Sequence, residues 1–292
     1  MNVGSRFECD ETNGISHFVE HMLFKGTPTR SAREIAEVFD EIGGYVNAFT
    51  AKEYTCYYAK VPDEHTSVAL EVLSDMFFNS QFDSDEIAKE KQVVVEEIRM
   101  VEDTPDDWIH DLASQVSMPD DPLGSPILGS IDNVTRFQRT QLTQFIKHTY
   151  TPERTVITVV GNFEEDLHDE LSQLFGQFKQ PDQTEQHDLK TPQFHAGMIQ
   201  RVKPTEQTHI CFSLPGLAIT DQRIYSMSLL NSIIGGSMSS RLFQRIREQY
   251  GLAYSVYSYH STYRDCGTFV IYAGTGRDQV DRVCELTLDI LR

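Results

Sequence analysis

A chain of 292 residues is long enough for one large or two medium domains, and 39% apolar with 24% charged residues fits a globular core and not a disordered chain. A formal net charge of −19 argues against a nucleic-acid partner, whose phosphates would repel it. No apolar run approaches the ~18 residues of a membrane span, and the opening MNVGSRFECDETNG lacks the basic and apolar stretches of a signal peptide. The five cysteines, Cys9, Cys56, Cys211, Cys266 and Cys284, are odd in number, scattered and never in C-x-x-C spacing. That usage points to reduced thiols in a cytoplasmic setting and away from a cysteine metal site.

The first predicted element lies in GISHFVEHMLFKGT, which contains His17-Phe18-Val19-Glu20-His21. On a helix, His17 and His21 lie on one face, one turn apart, where two imidazoles can share a zinc ion. Glu20 falls on the same side, within reach of water at such a metal. The order H-x-x-E-H is the inverzincin signature. Five residues alone are equally compatible with two packed histidines and a solvated glutamate.

Next, Gly43-Gly44 leads into a strand beginning at Tyr45, followed by a strand in TCYYAKVP and a helix in HTSVALEVLSDMFF. Residues 86 to 103 have no Gly or Pro, follow an Asp83-Ser84 start signal and read as a helix. Ile87, Val94, Ile98 and Val101 mark its buried side, and Glu90 and Glu97 share another face two turns apart. A third metal ligand is needed, but spacing alone does not choose among Glu90, Glu96 and Glu97.

Residues 180 to 196 are polar, with two prolines, and read as a linker; residues 198 to 214 are strand-like. Gly235-Gly236 reads as a helix end. Gly251 then opens a strand, followed by a strand in GTFVIYAG and a helix in DQVDRVCELTLDIL. The strand-strand-helix order repeats the one after Gly43-Gly44. The expected fold class is therefore α+β, with two homologous domains of antiparallel strands and helices packed on one sheet face. The expected boundaries are 1–180 and 197–292, joined by a linker at 181–196, with both domains shortened.

The segments HFVEHMLFKGT and EKQVVVEEIRMVEDTPDD resemble the pitrilysin/insulinase family of zinc peptidases. They are most similar to the branch holding the mitochondrial processing peptidase β subunit and its bacterial relatives. GGYVNAFTAKEYTCYYAKV, PLGSPILGS and SSRLFQRIREQYGLAYSVYS extend the resemblance along most of the chain. It implies one Zn²⁺ per chain held by His17, His21 and Glu97, with Glu20 as general base and Glu90 supporting the site. It implies that Asn47, Ala48 and Phe49 lie on an edge strand that pairs with substrate, and that Arg247 and Tyr254 donate to the substrate carbonyl. The implied partners are an extended peptide or presequence, and a second subunit in a homodimer or heterodimer. A non-catalytic partner subunit is the competing reading; such members usually lose part of H-x-x-E-H, which is intact here.

Overall fold

The computed structural model describes residues 1–179 and 189–292, so the first half of the expected linker, residues 181–188 with His187, lies outside the described residues. In chain order the helices and strands are α1 (Ile15–Leu23), α2 (Ala32–Glu41), β1 (Tyr45–Thr50), β2 (Thr55–Lys60), α3 (Thr66–Asn79), α4 (Ser84–Asp103), α5 (Pro105–Ser117), α6 (Ile131–Arg136), α7 (Arg139–Thr149) and α8 (Leu167–Phe175). They continue with β3 (Thr208–Pro215), α9 (Ile224–Ile234), β4 (Ala253–Thr262), β5 (Gly267–Thr275) and α10 (Val280–Leu291). Gly235 ends α9, as the sequence suggests, whereas only the end of the strand-like run 198–214 forms a strand. In the earlier part Met198 and Val202 are each 90% exposed, and no strand forms there among the described residues.

The helices and strands divide into two compact units, Met1–Ile98 with Pro126–Asp188, and Arg99–Ser125 with Leu189–Arg292. This departs from the expected cut at one linker: α5, which precedes residue 180, packs with the later sheet. The physical reason is a set of side-chain bonds from α5 to β3–β5, described below.

In the first unit, α1 is almost wholly buried. Phe18, Val19 and Met22 pack in one cluster with Val94 and Ile98 of α4 and with Val134, Phe137 and Leu142. The first amides of a helix have no intrahelical partner, and Gly14 has no side chain to cap them. Glu8 takes that role from outside the helix. Its Oε2 accepts from Gly14 N at 2.7 Å and its Oε1 from Ser16 N at 2.8 Å. Gly14 itself sits at φ 99°, and a Cβ there would meet Leu128 O at 2.7 Å, so glycine is required. Glu8→Ala should therefore cost about 2 kcal/mol, because it strips buried amides of their acceptor. Chemical denaturation reads this directly, and an unchanged midpoint would contradict the capping role.

The second cluster of this unit sets Ile35 and Phe39 of α2 against Ala69, Val72 and Met76 of α3. The helix α4 starts where the sequence signals it, since Asp83 Oδ1 accepts from Asp85 N at 2.8 Å. Ile87, Val94 and Ile98 are buried on it, and Val101 is half-buried. β1 and β2 form an antiparallel pair with Asn47 opposite Tyr58 and Thr50 opposite Thr55. Residues 155–160, TVITVV, are extended but form no strand among the described residues, and Val156 and Val160 are 82% and 90% exposed.

In the second unit the antiparallel order is β3-β5-β4, so β5 is central and every one of its residues is buried. One face packs Ile271 and Ala273 against Val283, Leu286 and Ile290 of α10. The hairpin β4-β5 followed by α10 repeats the order β1-β2-α3, in line with two related α+β domains. α5 lies against the sheet and is held there by His110. Its Nε2 meets Tyr257 Oη at 3.0 Å and its Nδ1 meets Tyr259 Oη at 2.8 Å, with Cys211 Sγ 3.7 Å from Nδ1.

Burial lowers the His110 pKa, against the opposing charges of Asp107 and Asp106. A depressed folded pKa means that the unfolded chain binds a proton first as pH falls below about 6.5. The His110 contribution is then fully present above that pH and is lost on acidification. Between pH 7.5 and 5.5 the parent should lose more thermal stability than His110→Asn; equal losses would contradict this.

Candidate metal centre

The α1 helix sets His17, Glu20 and His21 on the side that faces α4. The two imidazoles converge through the same atom type, His17 Nε2 and His21 Nε2 lying 3.1 Å apart. Glu97 completes the cluster: its Oε1 is 3.7 Å from His17 Nε2 and its Oε2 is 3.7 Å from His21 Nε2. Among the described residues, this trio is the one group of His, Cys, Asp and Glu whose donor atoms gather closely enough to hold a metal ion. A tetrahedral ion with bonds of about 2.0–2.1 Å needs donors about 3.3 Å apart, so the spacing and the two-nitrogen, one-oxygen donor set fit zinc. Three protein donors leave a fourth position for water, which is the pattern of catalytic sites.

The candidates that spacing left open are separated by geometry. Glu90 does not join the trio; its Oε1 accepts from His21 Nδ1 at 2.7 Å and its Oε2 pairs with Lys25 Nζ at 2.5 Å. A carboxylate can only accept, so that bond makes Nδ1 the donor and aims the Nε2 edge of the ring at Glu97 and His17. Glu96 is exposed. Glu20 is buried beside the trio, and the Thr50 hydroxyl at the end of β1 donates to its Oε2. His17 Nδ1 is buried without a hydrogen-bond partner among the described residues, so no bond on that side of the ring orients it.

The electrostatics follow from crowding three carboxylates and two imidazoles. Burial, helped by the charge on His21, lowers the His17 pKa to about 3, which leaves that imidazole neutral and free to donate its lone pair. Burial also opposes charge on His21, but the Glu90 hydrogen bond and the nearby carboxylates outweigh it and raise its pKa. For Glu20, burial raises the pKa against the Thr50 hydrogen bond, which is the direction a general base requires. Burial raises Glu97 likewise. Burial pulls Glu90 the same way, but bonds from His21 and Lys25 overcome it and keep it ionised.

Comparison with known proteins places these observations. The family description "Insulinase (Peptidase family M16)" matches residues 1–131, and "Peptidase M16 inactive domain" matches residues 136–292. The chain is 52% identical over 291 residues to the uncharacterized zinc protease YmxG of Bacillus subtilis, covering all of this chain and 71% of that one. The chain belongs to the M16 peptidase family. An uncharacterized zinc protease of Streptomyces coelicolor is 40% identical over 304 residues, with 99% of this chain and 65% of that one covered. The M16 fold is seen again in a protease from Helicobacter pylori and an M16 inactive domain from Pseudomonas fluorescens, each with a TM-score of 0.90. Their identities are 21% and 20%, their coverage of this chain 98% and 99%, and 71% of each of those chains is matched. At that identity they speak to the fold alone.

All of the convergent donors lie in the half that matches the first M16 description. Asn47, Ala48 and Phe49 lie on β1, with Asn47 Oδ1 accepting from Ala48 N at 2.8 Å. Arg247 and Tyr254 lie in the second unit. There a π-helical turn, Phe243–Gln249, carries Arg247, whose guanidinium is stacked 4.6 Å from the Phe243 ring and 4.7 Å from the Tyr254 ring. Sequence reasoning missed Glu8, Lys25 and Thr50. The absence of a Ser, Thr, Asp or Asn cap before α1 hints at a distant cap such as Glu8. Lys25 stands one helical turn beyond His21, which is a weak signal for sharing its carboxylate. Thr50 carries no local signal, since only strand placement brings it to Glu20.

Proposed function

We propose that the chain is a zinc metalloendopeptidase acting on extended peptides. The observation that carries this reading is the convergence of His17 Nε2, His21 Nε2 and a Glu97 carboxylate beside a buried Glu20. Zinc bound by those three residues supplies Lewis acidity, polarising a peptide carbonyl and making water a stronger acid. Glu20 takes a proton from the attacking water and passes it to the leaving amine as the C–N bond breaks. Thr50 holds the carboxylate in place, and Glu90 with Lys25 holds His21. Asn47, Ala48 and Phe49 form the edge segment against which an extended peptide adds as a strand past Glu20, bonded through those backbone groups of alternate residues that face the open edge. For Arg247 and Tyr254 we propose donation to the developing oxyanion; the support is their match to the family motif.

Residues 136–292, which match the description "Peptidase M16 inactive domain", hold none of the proposed zinc ligands. The test is cleavage of a fluorogenic peptide before and after chelation. Activity should vanish with chelator and return with added zinc. Activity indifferent to the chelator would overturn the reading.

A further inference from the structure

The end of the β1-β2 hairpin carries a chain of hydroxyls that leads to the proposed base. Thr50 and Thr55 are the last cross-strand pair of the ladder, so their side chains stand on one sheet face. That face is turned to α1, where the Thr50 hydroxyl reaches Glu20 Oε2. Thr50 Oγ1 and Thr55 Oγ1 lie 3.4 Å apart, and Thr55 Oγ1 lies 2.8 Å from Val3 O. Thr55 and Val3 are both fully buried.

Each hydroxyl has one proton, and this fixes the direction of the chain. Val3 O is a carbonyl and only accepts, so Thr55 commits its proton there. Toward Thr50 it is then left with lone pairs alone. The ionised Glu20 carboxylate also only accepts, so the Thr50 proton is given to Oε2. Glu20 Oε1 forms no hydrogen bond among the described residues. The chain ends on a backbone carbonyl, which offers a proton no route onward. It can orient Glu20 but cannot carry a proton away from it.

The anchor is itself held by the opening residues of the chain, which run beside the hairpin end. Thr55 N donates to Met1 O at 3.0 Å, Arg6 N to Lys52 O at 2.7 Å and Arg6 Nη1 to Glu53 Oε1 at 2.6 Å. A Cβ at Gly4 would lie 2.7 Å from Lys52 O, so the segment approaches this closely only with glycine there. Beyond Arg6, Glu8 caps α1. One stretch of chain thus fixes both the helix that carries Glu20 and the strand pair that meets its side chain.

We propose that Thr55 is a positioning residue for peptide hydrolysis that acts through Thr50, and that the pair makes Glu20 Oε2 the anchored oxygen and Oε1 the one that takes the proton from water. The inference rests on the peptidase reading and deepens it. Water loses a proton to Oε1 as its oxygen bonds to the carbonyl carbon. That proton has no path along the hydroxyl chain, so it leaves from the same oxygen to the amine nitrogen as the C–N bond breaks, and the carboxylate is restored.

The test is the steady-state kinetics of the zinc-loaded parent, Thr50→Val, Thr55→Val, their double variant, Thr50→Ser and Thr55→Ser on one fluorogenic peptide. Valine keeps the shape and removes the hydroxyl. Thr50→Val should lower kcat about tenfold and Thr55→Val about fivefold, with KM within about twofold of the parent and zinc content unchanged. Each serine variant keeps its hydroxyl and should hold kcat within about twofold of the parent. The double variant should lose no more than Thr50→Val alone, because Thr55 acts through Thr50. Thr55→Val leaves Val3 O without its donor. If it does not fold, Thr55→Cys, whose thiol is a weaker donor, should show a loss of about threefold that is absent in the Thr50→Val background. An unchanged kcat in Thr50→Val or Thr55→Val, losses that multiply in the double variant, an effect on KM in place of kcat, or serine variants as slow as the valine ones overturn the inference and leave the peptidase reading standing. A parent with no chelator-sensitive cleavage overturns both.

Discussion

Glu20→Gln is expected to keep zinc at the parent stoichiometry and to lose peptide hydrolysis by about 10³-fold, within the range for removing a positioned general base. The amide fills the same space and can still meet the Thr50 hydroxyl, so the α1 helix and the trio of donors stay in place. What disappears is the capacity to accept a proton. Because Glu20 is buried and its pKa is raised by that burial, the carboxylate is a stronger base than an exposed one. Zinc content by elemental analysis and cleavage of a fluorogenic peptide measure the two halves of the expectation separately. Activity that survives the substitution would remove Glu20 from the mechanism.

The second large effect is a contrast between two glutamates on α4. Glu97→Ala removes a proposed ligand and should weaken zinc binding by more than the about 10–100-fold that loss of an outer partner costs. Glu90→Gln should fall within that 10–100-fold range, because it removes the carboxylate that holds the His21 Nδ1 proton while leaving three donors. It should also free Lys25, whose ammonium is 2.5 Å from Glu90 Oε2. Competition with a chromogenic chelator gives both affinities. Equal losses for the two variants, or a greater loss for Glu90→Gln, would contradict the assignment of inner and outer roles.

How much of this was legible in the chain itself depends on how local the determinant is. His17, Glu20 and His21 form a pattern of one helix, and helix periodicity alone brings the imidazoles together. The placement of α4, its start at Asp83 and its buried Ile87, Val94 and Ile98 are likewise local and match the structure. The choice between Glu90 and Glu97 was not local. Both lie on the face turned to α1, and only the docking of α4 on α1 decides which one meets Nε2 and which one Nδ1. The family resemblance supplied that choice where spacing could not.

Thr50 and Glu8 were unreadable for the same reason. Each acts across a gap of chain, 30 residues for Thr50 to Glu20 and 6 to 8 for Glu8 to the start of α1. The departure of α5 to the second unit was also hidden. His110 shows its purpose only once β4 presents Tyr257 and Tyr259 to it. The extended residues 155–160 illustrate the reverse: apolar strand composition is present, yet no strand forms without a partner ladder.

In the proposed mechanism His17, His21 and Glu97 form one zinc site. Its most direct test is the zinc content of the purified chain after zinc addition and desalting. About one zinc per chain is expected, as for a site with three protein ligands, and near zero for His21→Ala. A parent chain that stays empty, or a His21→Ala chain that holds zinc equally well, would contradict it.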